Sequence, residues 1–505
     1  MPTPAATPWE RKHILLFLLF VFLLSYFTYF HKYWNPPYVF WDENYHIASA
    51  QKYLHGVYFM EQHPPLGKLL IALGEKIIHP NVQTDQFLGT DYGTDFSEGF
   101  SFAGYRLFSA LFAWWTAPVI FLIFLLLLRN PLHSALLSFV YIFDNALIVH
   151  SRGAMLEGSL DFFCALTILF FLLTLRDREQ RRRFILWSIL FGMSFGLMVS
   201  TKVLGLAFIL LTLPVLWVIV PRWKKALGFV ALFAASALLV FCSIWKIHFS
   251  LGKTINPDLP DSGYYQASLE YKNIIAYGMT GNLRSFPVMF RDSLAYIPFY
   301  NRGAPRLDLC KEDENGSPPY FWPLGARTIN YRWQTPDSSA YHYLYLVPNP
   351  IVWWGAAAAV FLSACFLICS VLCPPKRPLK HRFLMAVFLA LYLSFMIAIL
   401  RIPRVLYLYH YFIPLMVSFI LVALVFDEIQ SLGSSQLKER GKTILALVFA
   451  VLMFFAYHFY RPLTYYGPLT DAQFNRRNIF SLWDMHCVNC PRENGLAVPS
   501  RAPGQ

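Results

Sequence analysis

Two carboxylates stand side by side at Asp42 and Glu43, in the stretch YVFWDENYHIASAQKYLHGVYFMEQHPPLGK that runs from Tyr38 to Lys68. A carboxylate near a reacting hydroxyl can take its proton as a general base. Adjacent acids at the edge of an apolar run are costly, so a functional role is the first reading to test. Neighbouring residues do not share a face of a helix or strand, so the two acids do different jobs. One can face a reaction centre, for which Asp42 is the working choice, while the other holds a neighbouring cation or loop. No Lys or Arg follows within eight residues of Glu43 to neutralise the pair. The plainer alternative is an interfacial pair that only ends the first apolar run.

Other chemistry-bearing residues surround this stretch. Asp42 and His46 are four apart, a metal-ligand spacing, but two ligands make no metal centre, and a hydrogen-bonded histidine is the simpler reading. In His63-Pro64-Pro65-Leu66-Gly67-Lys68 the prolines exclude a helix at that point. Lys68 is then either a snorkelling lysine or, with His63, a contact for a lipid phosphate. Arg106 lies in FAGYRLFSALF, Arg152 in FDNALIVHSRGAMLEGSLDFF and Lys202 in GLMVSTKVLGL. Each is expensive beside hydrocarbon unless paired or solvated. Arg152 has Glu157 and Asp161 as ion-pair candidates. Cations gathered on the side of Asp42 point to an anionic lipid headgroup. Arg404, Tyr407, Tyr409, His410 and Tyr411 form RVLYLYHYFIP, an aromatic belt with a histidine inside it.

The elements that must position these residues are membrane-spanning helices. The chain has 505 residues, 56% hydrophobic and 14% charged, well below the charge content of a soluble domain. Apolar runs at 13–30, 104–128, 132–149, 155–175, 184–200, 204–220, 226–247, 349–372, 383–400, 405–426 and 443–460 predict about eleven spans. The first run is long enough to span and has no cleavage site after it, so no separate signal peptide is expected. The net charge of +13 resides in short loops, where it sets topology and does not indicate nucleic acid. Arg11 and Lys12, the Arg176–Arg183 cluster, Arg222–Lys225, Lys376–Arg382 and Lys438–Lys442 then share the cytoplasmic side. Two long outer-face loops follow, 31–103 and 248–348. The domain reading is a polytopic domain over 1–475 and an outer-face tail over 476–505. Cys310, Cys487 and Cys490 fall on that face, where a disulfide is chemically reasonable if the compartment is oxidising. No Walker loop, dinucleotide-binding glycine pattern or nucleophile elbow is found.

Read in order, FWDENY, HPPLGK, YRLFSA, FDNALIVHSR with an acid five residues on, VSTKVLG, IHF, GSPPYFWPL, VPNPIVWWG, RVLYLYHYFIP and RPLTYYGPL resemble the protein O-mannosyltransferase family (glycosyltransferase family 39, a polytopic C-type glycosyltransferase). The resemblance implies an all-α polytopic fold and an inverting transfer of mannose from a polyprenyl-phosphate carrier to Ser or Thr hydroxyls of proteins. It implies Asp42 as base with Glu43 in support, and Arg106, Lys202 and, at second rank, Arg152 on the donor phosphate. His63, Lys68, Tyr409 and His410 are further substrate-site candidates.

The implied partners are the lipid-linked donor, a protein or glycolipid acceptor and the bilayer. No cofactor is required; a divalent metal is possible but not indicated. The second outer loop is too short for the β-trefoil MIR domain of eukaryotic members. That suggests a bacterial-type member in an inner membrane, with a cytoplasmic N-terminus and an outer-face active site and C-terminus. Glu157 stands where the family usually has Asp, and Gly67 where Ala is frequent. Two rivals are transfer of another sugar, such as aminoarabinose, to lipid A or a glycan, and a lipid-sugar flippase. Against the flippase, no paired broken helices in two related halves are visible.

Overall fold

The computed structural model describes residues 8–82, 96, 99–256, 263–311, 314–335, 340–373, 378–429, 431–432 and 435–488. The chain begins with α1 (Pro8–Ser25), which runs on through a π-helical turn to Phe30. Two short helices then lie between the first and second spans: α2 (Glu43–His55) and α3 (Leu66–Ile78). α2 stops at Gly56, whose left-handed backbone (φ 69°) lets its N–H reach the carbonyls of Lys52 and Tyr53. α3 lies against α4 (Ala103–Leu128) at Gly74, where an added Cβ would sit 2.3 Å from the Gly104 carbonyl oxygen. Such small-residue contacts let membrane helices approach closely.

Between α4 and α8 (Glu157–Arg176) the chain makes three short helices: α5 (Pro131–Leu137), α6 (Phe139–Ile142) and α7 (Asn145–Ser151). Asn130 caps α5 by accepting from His133 N at 3.1 Å, with Pro131 at the first helical position. Asp144 caps α7 by accepting from Leu147 N at 2.9 Å and also takes the Trp353 indole N–H at 2.8 Å. The path bends by 63° there. α9 (Arg181–Thr201) ends at Lys202, which is extended (φ −153°, ψ 135°). A 3-10 segment (Val203–Leu211) and α10 (Thr212–Ile219) follow, then α11 (Trp223–Leu251).

The second inter-span segment contains α12 (Leu269–Ala276), α13 (Phe286–Gly303) and an antiparallel hairpin of β1 (Ile329–Gln334) and β2 (Tyr341–Leu346). The remaining helices are α14 (Pro350–Leu372), α15 (Arg382–Leu400), α16 (Phe412–Glu428), α17 (Glu439–Thr464) and α18 (Asp471–Asn475). A two-strand turn, β3 (Ser431–Leu432) with β4 (Ser435–Gln436), precedes α17, and β5 (Pro468–Leu469) pairs with β2. α16 is buried along its length and packs on α4, α8, α14 and α15. It is the centre of the bundle and carries the turn Leu408–Tyr411 on its N-terminal end.

The count of about eleven spans is not matched one for one. Among the described residues, nine helices are long and apolar enough to cross a membrane. The 132–149 run is the bent α5–α7 path, because Asp144 needs its polar partners at the break. The 204–220 run is the shorter Val203–Ile219 segment, set off by the extended Lys202. Irregular backbone of this kind is tolerated at membrane depth where protein buries it. The helical reading also omits the small sheet β1-β2-β5. Nor does residue 475 mark a structural break. Trp483 and Met485 are buried with Tyr343, Tyr345 and Phe474 in one apolar cluster.

Candidate active site

The first inter-span segment is held by one arginine. Arg106, in the first turn of α4, donates from Nε to Glu43 Oε1 at 2.7 Å and from Nη2 to Glu43 Oε2 at 2.8 Å. Its remaining donors reach the carbonyls of Trp34 at 2.8 Å, Pro36 at 2.6 Å and Tyr38 at 2.7 Å. The guanidinium lies between the rings of Phe40 and Phe102. Glu43 also accepts from Phe40 N at 3.1 Å and Ala154 N at 2.7 Å. Neither side chain has any solvent exposure. The expectation that Arg106 meets the donor phosphate is therefore corrected: its five N–H groups are used within the protein. Glu43 is likewise engaged by guanidinium and backbone N–H groups.

Asp42 is released by the same geometry. Trp41 sits in the left-handed region (φ 52°), rare for a bulky residue and characteristic of functional sites. The turn there sends Glu43 inward while Asp42, at the N-cap of α2, makes no side-chain capping bond. Its Oδ2 accepts instead from the Tyr409 hydroxyl at 3.2 Å. Burial pushes the Asp42 carboxyl above the ordinary range, and the Tyr409 hydrogen bond and the nearby His150 and Lys202 oppose this.

A second acid lies beside it. Glu157 accepts from Lys202 Nζ at 2.5 Å through Oε1 and from His150 Nε2 at 2.7 Å through Oε2. His150 Nδ1 lies 2.6 Å from the Tyr331 hydroxyl, so the ring is held at both nitrogens. His150 stacks on Tyr409 at 4.7 Å, and Lys202 lies 5.4 Å over the same ring. Tyr409 thus joins Asp42 to the Glu157 cluster. Trp41 stacks on Tyr331 at 5.1 Å and meets Tyr407 edge-on at 5.3 Å, giving the site an aromatic wall.

The other expected residues separate from this centre. Arg152 donates to the carbonyls of His31 at 2.9 Å, Tyr29 at 3.2 Å and Lys32 at 2.6 Å, closing the end of the first span. It pairs with neither Glu157 nor Asp161; both its Nη groups are engaged by backbone carbonyls. Lys68 is buried against Glu61 and donates to Ser49 Oγ at 3.2 Å. His410 folds its Nδ1 back on the Tyr407 backbone, 3.3 Å from its N and 3.1 Å from its O, as a local turn. His63 is half-buried, and burial with Lys202 and Lys68 nearby holds it well below the usual imidazole range. His46 is also held low, by burial and by Lys68.

Among the described residues no group of three or more metal-ligating side chains occurs. Cys310 is free and Cys487 is disulfide-bonded, whereas Cys490 lies outside the described residues. Sequence reasoning missed His150 and Tyr331. His150 was in view inside FDNALIVHSR. Tyr331 is delivered by a bulge between Asn330 and Arg332, for which the sequence carries no signal.

Two family models match the chain. One described as dolichyl-phosphate-mannose-protein mannosyltransferase covers residues 19–250. The other, the C-terminal four-transmembrane region of protein-O-mannosyltransferase, covers 305–483. Protein O-mannosyltransferase 1 of Drosophila melanogaster is 26% identical over 269 residues, 50% of this chain and 30% of that protein. Dolichyl-phosphate-mannose–protein mannosyltransferase 6 of Saccharomyces cerevisiae is 27% identical over 308 residues, 57% of this chain and 40% of that protein. The matched stretches are thus well under half the length of these relatives.

The S. cerevisiae protein O-mannosyltransferase Pmt1-Pmt2 complex, solved bound to the sugar donor, superposes on 95% of this chain and 93% of its own at a TM-score of 0.82, with 15% identity. That likeness establishes the fold, a C-type glycosyltransferase architecture. With both halves of the sequence matched in order, this multi-pass membrane protein belongs to the protein O-mannosyltransferase family.

Proposed function

We propose that this protein transfers mannose from a polyprenyl-phosphate carrier to Ser or Thr hydroxyls of proteins, with inversion at the anomeric carbon. The observation that carries the reading is Asp42: a half-buried carboxylate whose one hydrogen bond among the described residues comes from Tyr409. Asp42 takes the acceptor's hydroxyl proton as the acceptor oxygen bonds the anomeric carbon. On the opposite face the bond from that carbon to the phosphate oxygen breaks, and its electron pair leaves with the polyprenyl phosphate. A phosphate monoester is already a good leaving group, so one carboxylate suffices where most glycosidases use two. Trp41, backed by Tyr331, and Tyr407 are half-buried and offer apolar ring surface for the sugar.

The basic loops support a cytoplasmic N-terminus, which sets Asp42 and the C-terminus on the outer face of what we read as a bacterial inner membrane. The chemistry calls for no cofactor, so chelators are expected to leave turnover unchanged. The test is an assay of purified protein with labelled polyprenyl-phosphate mannose against a panel of acceptors. Labelled Ser/Thr peptides of inverted anomeric configuration support the reading. Transfer only to a glycolipid, or none with any mannosyl donor, overturns it.

A further inference from the structure

A leaving phosphate gains charge as its bond to the sugar breaks, and a site that holds it needs a cation free to respond. The cations expected on the side of Asp42 are already engaged. Arg106 is taken by Glu43 and three carbonyls, and Arg152 by carbonyls of the first span. Lys68 is held by Glu61 and Lys202 by Glu157.

Arg404 differs. It lies between α15 and the Leu408–Tyr411 turn, is half-buried, and has no ion-pair or hydrogen-bond partner among the described residues. Its segment is fastened on both sides. Val405 N donates to the Pro305 carbonyl and Ser317 N donates to the Leu406 carbonyl, each at 2.8 Å. Three residues beyond Arg404, Tyr407 meets Trp41, and five beyond, Tyr409 reaches Asp42. Arg404 is thus tied through Tyr407 and Tyr409 to the residues around the base, from the side of the second inter-span segment.

We propose that Arg404 receives the phosphate of the lipid-linked donor and neutralises it as polyprenyl phosphate leaves. This rests on the mannosyl-transfer reading above. The planar guanidinium meets two phosphate oxygens with two parallel N–H bonds, a fork an ammonium does not reproduce. Arg404 keeps its protons throughout: the breaking bond's electron pair goes to the phosphate oxygen, and the guanidinium donates hydrogen bonds to it.

The experiment compares binding of polyprenyl phosphate and of uncharged polyprenol to the full chain in detergent. The variants are Arg404→Gln, Arg404→Lys and, as a control of equal charge loss, Arg401→Gln at an exposed neighbour. Arg404→Gln is expected to weaken polyprenyl phosphate binding by about tenfold or more. It should leave polyprenol binding unchanged and raise the donor KM without moving the acceptor KM. Arg404→Lys should recover part of the loss, and Arg401→Gln should bind as the parent.

A second measurement needs no variant: polyprenyl phosphate should shield Arg404, and polyprenol should not, from modification by phenylglyoxal read by peptide mass spectrometry. Unchanged phosphate binding by Arg404→Gln, or no shielding of Arg404, overturns the proposal and leaves the mannosyl-transfer reading standing. A parent protein that does not distinguish polyprenyl phosphate from polyprenol overturns that reading, and this proposal with it.

Discussion

Arg106 and Glu43, 63 positions apart, meet as a two-bonded fork inside the protein, Nε to Oε1 at 2.7 Å and Nη2 to Oε2 at 2.8 Å. The pair fixes the segment from Trp34 to Ala154 N around one buried charge couple. It also separates two adjacent acids into a structural residue and a free one.

Breaking this pair should be a stability defect first. Removing one partner of a buried ion pair leaves the other charge uncompensated, at a cost of about 3–5 kcal/mol. Arg106→Ala is expected to lower the thermal unfolding midpoint markedly. Arg106→Lys should recover little, because an ammonium cannot reach both Glu43 oxygens and three carbonyls. Donor binding lost in Arg106→Ala while the unfolding midpoint stays at the parent value would return Arg106 to the substrate site.

Asp42→Asn should behave oppositely. The side chain keeps its size and a contact to Tyr409, so the fold should hold while transfer falls below detection. The base must be ionised to act, so the rate should fall as pH drops through a carboxyl pKa raised by burial. Tyr409→Phe removes the hydrogen bond that favours the carboxylate, so its acid limb should move to higher pH. A pH–rate profile of the two proteins reads this directly, and an unmoved limb would remove Asp42 from the role of base.

Glu157 serves two partners at once, Lys202 and His150. Glu157→Gln leaves Lys202 buried without a counter-charge and should destabilise the protein by about 3–5 kcal/mol. Glu157→Asp keeps the charge but shortens the reach by one methylene. It should keep the Lys202 pairing or the His150 bond but not both, giving a folded protein of reduced kcat. Calorimetry and steady-state kinetics on the two variants check the distinction.

Glu75 on α3 makes a pH prediction for stability. Burial raises its carboxyl to about 7, against the bond from Asn81 Nδ2 at 2.8 Å. In the unfolded chain it titrates near the ordinary value of 4.5. Its folded pKa lies above its unfolded one, so the contribution is fully present below about 4.5 and is lost as pH rises through about 7. Glu75→Gln should flatten the dependence of the unfolding midpoint on pH across that window. A slope equal to the parent's would show that Glu75 does not set it.

Much of this was legible in the residues alone. Uncharged runs of spanning length have one physical solution in hydrocarbon, a helix, so the polytopic class follows from composition and periodicity. The ordered motifs carried the family, and Asp42 stood out because an acid at a membrane boundary is expensive. The partners of the charges were not legible. Arg106, Arg152, Lys68 and Lys202 look alike in sequence, each a cation at the end of an apolar run. Which of them is spent depends on contacts across 63, 121, 7 and 45 positions. Tyr331 reaches His150 only because a strand bulges. The sequence by itself determined that charges had to be buried near Asp42, since hydrocarbon leaves them nowhere else to go. Only the tertiary structure decided which carboxylate or carbonyl satisfied each one, because pairing is a matter of distance in space and not of spacing along the chain.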